Sequence, residues 1–213
     1  GTSAGAQETH LLLVPERPAP WARQLRQLED AYAAACEELA LAPGSAVFRR
    51  LFGSDLANQR AALRASALAQ SAAVSLVEQP PLPEAKLALY AYHVTDPATP
   101  PRLTTAADGA VLWQHHDRTH LFATGLSQAG DGTSYDQMRA AFVQFDSLLA
   151  ARGMTLRDHA LRTWIYVQAL DTDYQGIVRA RREFFTDHGL TKDTHYLAST
   201  GIAGGAGDPA VRV

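Results

Sequence analysis

The chain of 213 residues has a single cysteine, Cys36, so it cannot close an internal disulfide. That fits a reducing compartment. Cys36 lies in an Ala-rich apolar stretch and reads as a small buried hydrophobe rather than a nucleophile. Lysine occurs only at Lys86 and Lys192. Positive charge is not in excess: the net charge is -3 and the pI about 6.2. This argues against a polyanion-binding surface, and so against nucleic acid. The densest basic cluster, Arg179, Arg181 and Arg182, reads as one helix face. No apolar run approaches the roughly 20 residues of a membrane span. Gly1 to Ala6 lack the charged-then-apolar pattern of a secretory signal and read as an expression remnant. The expectation is a cytoplasmic protein without a membrane partner.

Two catalytic signatures are also missing. Ser127 sits in Gly125-Leu126-Ser127-Gln128, which is not the Gly-x-Ser-x-Gly elbow of a serine hydrolase. The glycine-rich run from Gly201 to Gly207 has no following Lys-Ser/Thr and no following helix, so it is not a phosphate loop.

The chain does contain ample apolar material, 46% of residues, enough for one large domain or two small ones. His10 to Pro15 reads as a strand. Residues 19–41 carry Trp21, Leu25, Leu28, Tyr32, Cys36 and Leu39 at helical spacing. Strands are predicted at 46–52, 73–77 and 86–94, with a helix through Leu56, Leu63 and Leu68 capped by Ser54 or Asp55. Pro80 to Pro83 is a turn. Residues 96–109, rich in Pro, Thr and Asp, read as a linker. A hairpin follows, with strands at 110–115 and 120–124 around Asp117-Arg118. Ser134-x-x-Gln137 and Thr172-x-x-Gln175 read as capping boxes that open two helices, ended by Gly153 and Gly189. A strand is expected over 159–168, another at 196–200, and a short last one at Ala210 to Val213.

The order strand, helix, strand, helix, strand, strand therefore occurs twice. Residues 46–52 (Ala-Val-Phe-Arg-Arg-Leu-Phe) parallel 160–166 (Ala-Leu-Arg-Thr-Trp-Ile-Tyr). The fold class expected is α+β in two tandem units, over 8–95 and 110–213, each a mixed sheet with two helices on one face. The strand at 86–94 closes the first unit. Its counterpart at 210–213 is short, so the expectation is that the polypeptide continues or that another chain supplies the edge.

Alternation along 159–168 puts Leu161, Thr163, Ile165 and Val167 on a helix-facing side and Arg162, Trp164 and Tyr166 on the other. The second set either lines a cleft for a small anionic, planar metabolite or packs against a neighbouring subunit or the first unit. Ser199, Thr200 and Gly201 offer hydroxyls and backbone donors, and either grip a carboxylate or end a strand. His115, His116 and His120 with Asp117 invite a metal reading. His115 and His116 are expected on opposite faces, however, and tetrahedral zinc needs converging ligands. Neither a metal site nor a cofactor is expected. His93, His159, His188 and His195 read as structural or exposed.

Several stretches resemble the Rid (YjgF-type, reactive-intermediate deaminase) superfamily. They are Phe122-Ala-Thr-Gly125-Leu-Ser-Gln, the helix bearing Phe142, Leu148 and Leu149 with Gly153 after it, Leu161 to Val167, Tyr174 to Phe185, and His195 to Gly204. The resemblance is good over 110–213 and weaker over 10–95. Arg162-x-Trp164-x-Tyr166 and Ala198-Ser199-Thr200-Gly201-Ile202 are similar to the first repeat of the chorismatase-like branch. The resemblance implies a chorismate-mutase-like fold, usually trimeric, with ligand sites at subunit clefts. It implies a small-molecule substrate bearing a carboxylate, held by Arg162, Tyr166, Trp164, Thr124, Gly125, Ser199 and Thr200. It also implies hydrolytic or eliminative chemistry of chorismatase-like or enamine/imine-deaminase-like type. The alternative is a non-catalytic platform for ligand binding or oligomerisation, as a homo-oligomer or paired with a second Rid-like repeat. The sequence departs from the family at one position: Rid deaminases place an arginine just before the Ser/Thr step, where this chain has Leu197 or Ala198. The family's last-strand acid would fall beyond Val213, so no catalytic residue is assigned.

Overall fold

A computed structural model of the chain describes residues 5–70, 73–81, 84–98, 102–106 and 110–213. The chain forms two compact units, residues 1–125 and 126–213. Both mix helices and strands, so the α+β class holds.

Unit 1 runs β1 (Gln7–Leu13), α1 (Trp21–Glu38), β2 (Ala46–Gly53), α2 (Leu56–Ala65), β3 (Ala73–Glu78), β4 (Leu87–Thr95), β5 (Arg102–Thr105), β6 (Val111–His115) and β7 (Arg118–Phe122). Four strands make one sheet in the order β1-β4-β2-β3. β2 and β3 are parallel because α2 carries the chain back between them; β4 pairs antiparallel with both β1 and β2. Asp55 caps α2 by accepting a hydrogen bond from the Asn58 amide. Leu28, Leu51, Leu56, Leu63, Leu68, Leu87 and Leu89 are fully buried between the helices and this sheet. Gln24 is buried with them. Its side-chain amide donates to the Ala19 and Glu84 carbonyls and its oxygen accepts from the Lys86 amide, which satisfies the group inside the core.

A second polar knot lies beside this core. His93 Nδ1 meets Ser45 Oγ and its Nε2 meets Tyr32 Oη, each at 2.9 Å. Arg49 Nε donates to Tyr32 Oη at 3.1 Å, and its Nη1 donates to the carbonyls of Leu68 at 3.2 Å and Gln70 at 2.6 Å. Burial, then the Arg49 charge, lowers the His93 pKa to about 4. Burial also raises the Tyr32 hydroxyl to about 12, against the opposing pull of Arg49.

The stretch expected as a linker contains β5, which pairs with β6 in a sheet ordered β5-β6-β7. The division of the chain falls after Gly125, so the hairpin belongs to unit 1. The alternation of Arg102 to Thr105 is too short and too polar to mark a strand by itself. Residues 99–101 and 107–109 of that stretch, and Leu82 and Pro83 of the proline turn, lie outside the described residues.

Unit 2 runs α3 (Ser134–Ala150), α4 (Leu156–His159), β8 (Arg162–Val167), α5 (Leu170–Asp187) and β9 (Ala198–Ala203). β8 and β9 are parallel, with α5 as the crossover. α3 and α5 pack through Phe142, whose ring lies 5.4 Å from Phe184 and 5.1 Å from Phe185. At their crossing Gly176 is required. A Cβ there would collide with the Ser134 hydroxyl and stand 2.9 Å from the Tyr135 amide nitrogen.

Four expectations are corrected in this unit. The capping box of α3 is Thr133 with Asp136, one residue earlier than expected. Asp136 accepts from the Thr133 amide at 3.0 Å and hydroxyl at 2.6 Å, bonds that hold its carboxyl below the usual range. A carboxylate near the positive helix end outcompetes the neutral Gln137 for that role. α5 begins at Leu170, without a side-chain cap, so Thr172 is inside the helix. Residue 159 ends a short helix capped by Thr155, and the strand starts only at Arg162. Finally, Ala210 to Val213 is not a strand. It is tied down by Gln137, which donates to the Ala210 carbonyl and accepts from the Arg212 amide, both at 2.8 Å, and by a bond from the Gln168 amide to the Arg212 carbonyl at 3.0 Å. No helix among the described residues is long and apolar enough to cross a membrane.

Candidate functional site

Parallel pairing sets Arg162 opposite Ala198, Trp164 opposite Thr200 and Tyr166 opposite Ile202. Paired residues share a face of the sheet, so Arg162, Trp164, Tyr166 and Thr200 lie together. Arg162 Nη2 donates to Thr200 Oγ1 at 2.9 Å, and its guanidinium sits 4.5 Å from the centre of the Trp164 ring. That stacking and that bond hold the guanidinium plane in place. Arg162 is exposed and forms no ion pair among the described residues. It thus keeps N–H donors available for a planar anion.

Ser199 is on the opposite face, where Thr163 Oγ1 donates to Ser199 Oγ at 2.9 Å. Tyr174 of α5 lies against Gly201 on that side. Ile165 and Val167 are buried there as alternation predicts, but Leu161 is 73% exposed, because it precedes the strand. Thr124 and Gly125 belong to unit 1. The Thr124 hydroxyl donates to the Val74 carbonyl at 2.9 Å. The sequence-predicted set is therefore divided: Arg162, Trp164, Tyr166 and Thr200 converge, Ser199 faces the helices, and Thr124 is engaged elsewhere.

Unit 1 carries two further polar features. A cleft of about 410 Å³ at the end of β2 is lined by Trp21, Ser54, Asp55, Asn58, Gln59 and Lys86. Its polar groups largely pair with one another: Gln59 binds Ser54 and the Asp55 amide, and Asn58 binds Asp55. More notable is the hairpin. His115 and His116 do not point apart. His116 takes a left-handed backbone, φ 53°, so strand alternation ends at His115 and the two rings meet edge-on at 4.1 Å. Both approach Asp96, which no motif flagged because it lies 19 residues before His115. His120 is not part of this group; burial, then Arg118, lowers its pKa.

No protein-family model matches the chain, and no curated protein matches it. A solved structure described as a "putative translation initiation inhibitor from Salmonella typhimurium" overlaps 53% of this chain and 90% of its own, at 14% identity and a TM-score of 0.39. A likeness at that level assigns neither fold family nor activity.

Proposed function

We propose that the chain is a Rid-type protein whose β8–β9 face takes a small carboxylate-bearing metabolite, for hydrolytic or eliminative chemistry on an enol ether, enamine or imine. The observation that carries this is Arg162, oriented by Thr200 and Trp164 while remaining exposed and without an ion pair among the described residues. Tyr166 shares the face and adds a phenol. The tandem reading is supported by the two parallel ladders. Each is joined by a helix, and they start at Phe48 opposite Ala73 and at Arg162 opposite Ala198. Phe48 and Arg162 are the third residues of the two matched stretches, 46–52 and 160–166.

The test is turnover of chorismate and of an α-imino acid by the wild-type chain and by Arg162→Ala. Losing charged hydrogen bonds to a carboxylate costs about 1.5–3 kcal/mol, so kcat/KM is expected to fall at least about 10-fold. Equal turnover by the variant would overturn the assignment.

A second reading is a non-catalytic platform that binds ligand or assembles with itself as a trimer, or with a second Rid-like repeat. Leu161, Trp164, Tyr174 and Tyr196 favour it, because each is large, apolar or aromatic and exposed in unit 2. Native mass spectrometry distinguishes the two: a specific oligomer with no turnover of either substrate supports the platform.

A further inference from the structure

We propose that Asp96, His115 and His116 form a binding site for a divalent transition-metal ion of the zinc or iron(II) type. The three side chains each offer one ligand atom, and these atoms lie within 4.8 Å of one another. His115 Nε2 is 2.9 Å from Asp96 Oδ2, and His116 Nε2 is 3.9 Å from the same oxygen. Ligands held about 2.0–2.2 Å from a metal stand some 3–3.5 Å apart. A rotation of the His116 ring would shorten its 3.9 Å toward that spacing, while His115 and Asp96, at 2.9 Å, would part slightly to admit the ion. His116 can make that rotation, since its side chain is 42% exposed while those of His115 and Asp96 are 0% and 3% exposed.

The surroundings are arranged as a metal's supporting groups are. The Ala98 amide donates to Asp96 Oδ1 at 2.9 Å, which directs Oδ2 to the histidines. Trp113 stacks on His115 at 5.7 Å with planes 15° apart, fixing the imidazole. Gly5 closes one side: a Cβ there would stand 3.2 Å from Asp96 Oδ2. The exposed side at His116 leaves a coordination position for water or substrate, as in a catalytic rather than a closed structural site.

A buried Asp–His hydrogen bond alone accounts for Asp96 and His115. It does not account for His116. Its positive φ of 53°, a region where histidine is among the better tolerated non-glycine residues, turns the ring back toward Asp96. Two imidazoles and one carboxylate with open positions suit zinc or iron(II) and suit magnesium or calcium poorly. The site lies wholly in unit 1, so this inference stands or falls independently of the proposal for the β8–β9 face.

The experiment is calorimetric titration of the whole chain with Zn²⁺ alone. Co²⁺ is titrated in parallel, read by its visible ligand-field bands. The variants are His116→Asn, which keeps a residue tolerant of the left-handed backbone, and His120→Asn as the neighbouring control. One equivalent is expected to bind the wild type and the control alike, with affinity at least about 10-fold weaker in His116→Asn. Thermal melting with Zn²⁺ should show a rise in Tm that His116→Asn loses. Absence of stoichiometric binding, or equal affinity in wild type and His116→Asn, overturns the site.

Discussion

The two units use the same strand–helix–strand device and finish it differently. In unit 1, β2 is flanked by β3 on one side and β4 on the other, with β1 beyond. In unit 2, β8 pairs with β9 as a two-stranded sheet among the described residues, and a single backbone bond from Gln168 to Arg212 continues past its end. Two strand arginines, one from each parallel ladder, differ as well. Arg49 is buried and spends its donors on Tyr32 and three carbonyls. Arg162 is exposed, and among the described residues it holds Thr200 and the Trp164 ring. The difference is one of surroundings: the buried Arg49 guanidinium is held by groups of its own unit, whereas the Arg162 guanidinium reaches solvent.

That contrast can be broken most forcefully at Arg49. Arg49→Ala leaves a phenol and three carbonyls short of a donor. It should cost about 3 kcal/mol or more in chemical denaturation. A loss below about 1 kcal/mol would remove the structural role. Acid comes next. The folded His93 pKa of about 4 lies below the ordinary 6.5, so the unfolded chain takes up a proton first as the pH falls. Stability is then full above about 6.5 and declines toward pH 4, by up to about 3 kcal/mol. His120, also lowered, adds in the same direction. Denaturation midpoints over this window, with His93→Gln alongside, measure the slope, which should be shallower in the variant. Within unit 2, Gly176→Ala forces α3 and α5 apart and should cost about 1–3 kcal/mol. A neutral result there would mean the helices crossing at Ser134 adjust freely. The smallest effect is expected at Arg162: Arg162→Ala should change stability by less than about 1 kcal/mol.

The regular parts of this fold were legible because burial imposes a period. The helix bearing Leu28, the strands around Leu51 and Leu89, and the burial of Ile165 and Val167 follow from spacing alone. Helix starts were less legible. Thr133-x-x-Asp136 and Ser134-x-x-Gln137 overlap in sequence, and only three-dimensional hydrogen bonding decides between them. β5 was hidden by its polarity and brevity. The candidate site was half legible: alternation brought Arg162, Trp164 and Tyr166 together, but the pairing register, invisible in one strand, sent Thr200 to their face and Ser199 away. Asp96 was not legible at all, because its partners come from another strand and one of them turns back on a left-handed backbone.

The most direct test of the account is equilibrium binding of chorismate to the wild type and to Arg162→Ala, with denaturation curves of both proteins beside it. Affinity is expected to fall about 10- to 100-fold at nearly unchanged stability. Undiminished binding by Arg162→Ala, or a loss of binding matched by a loss of folding, would contradict it.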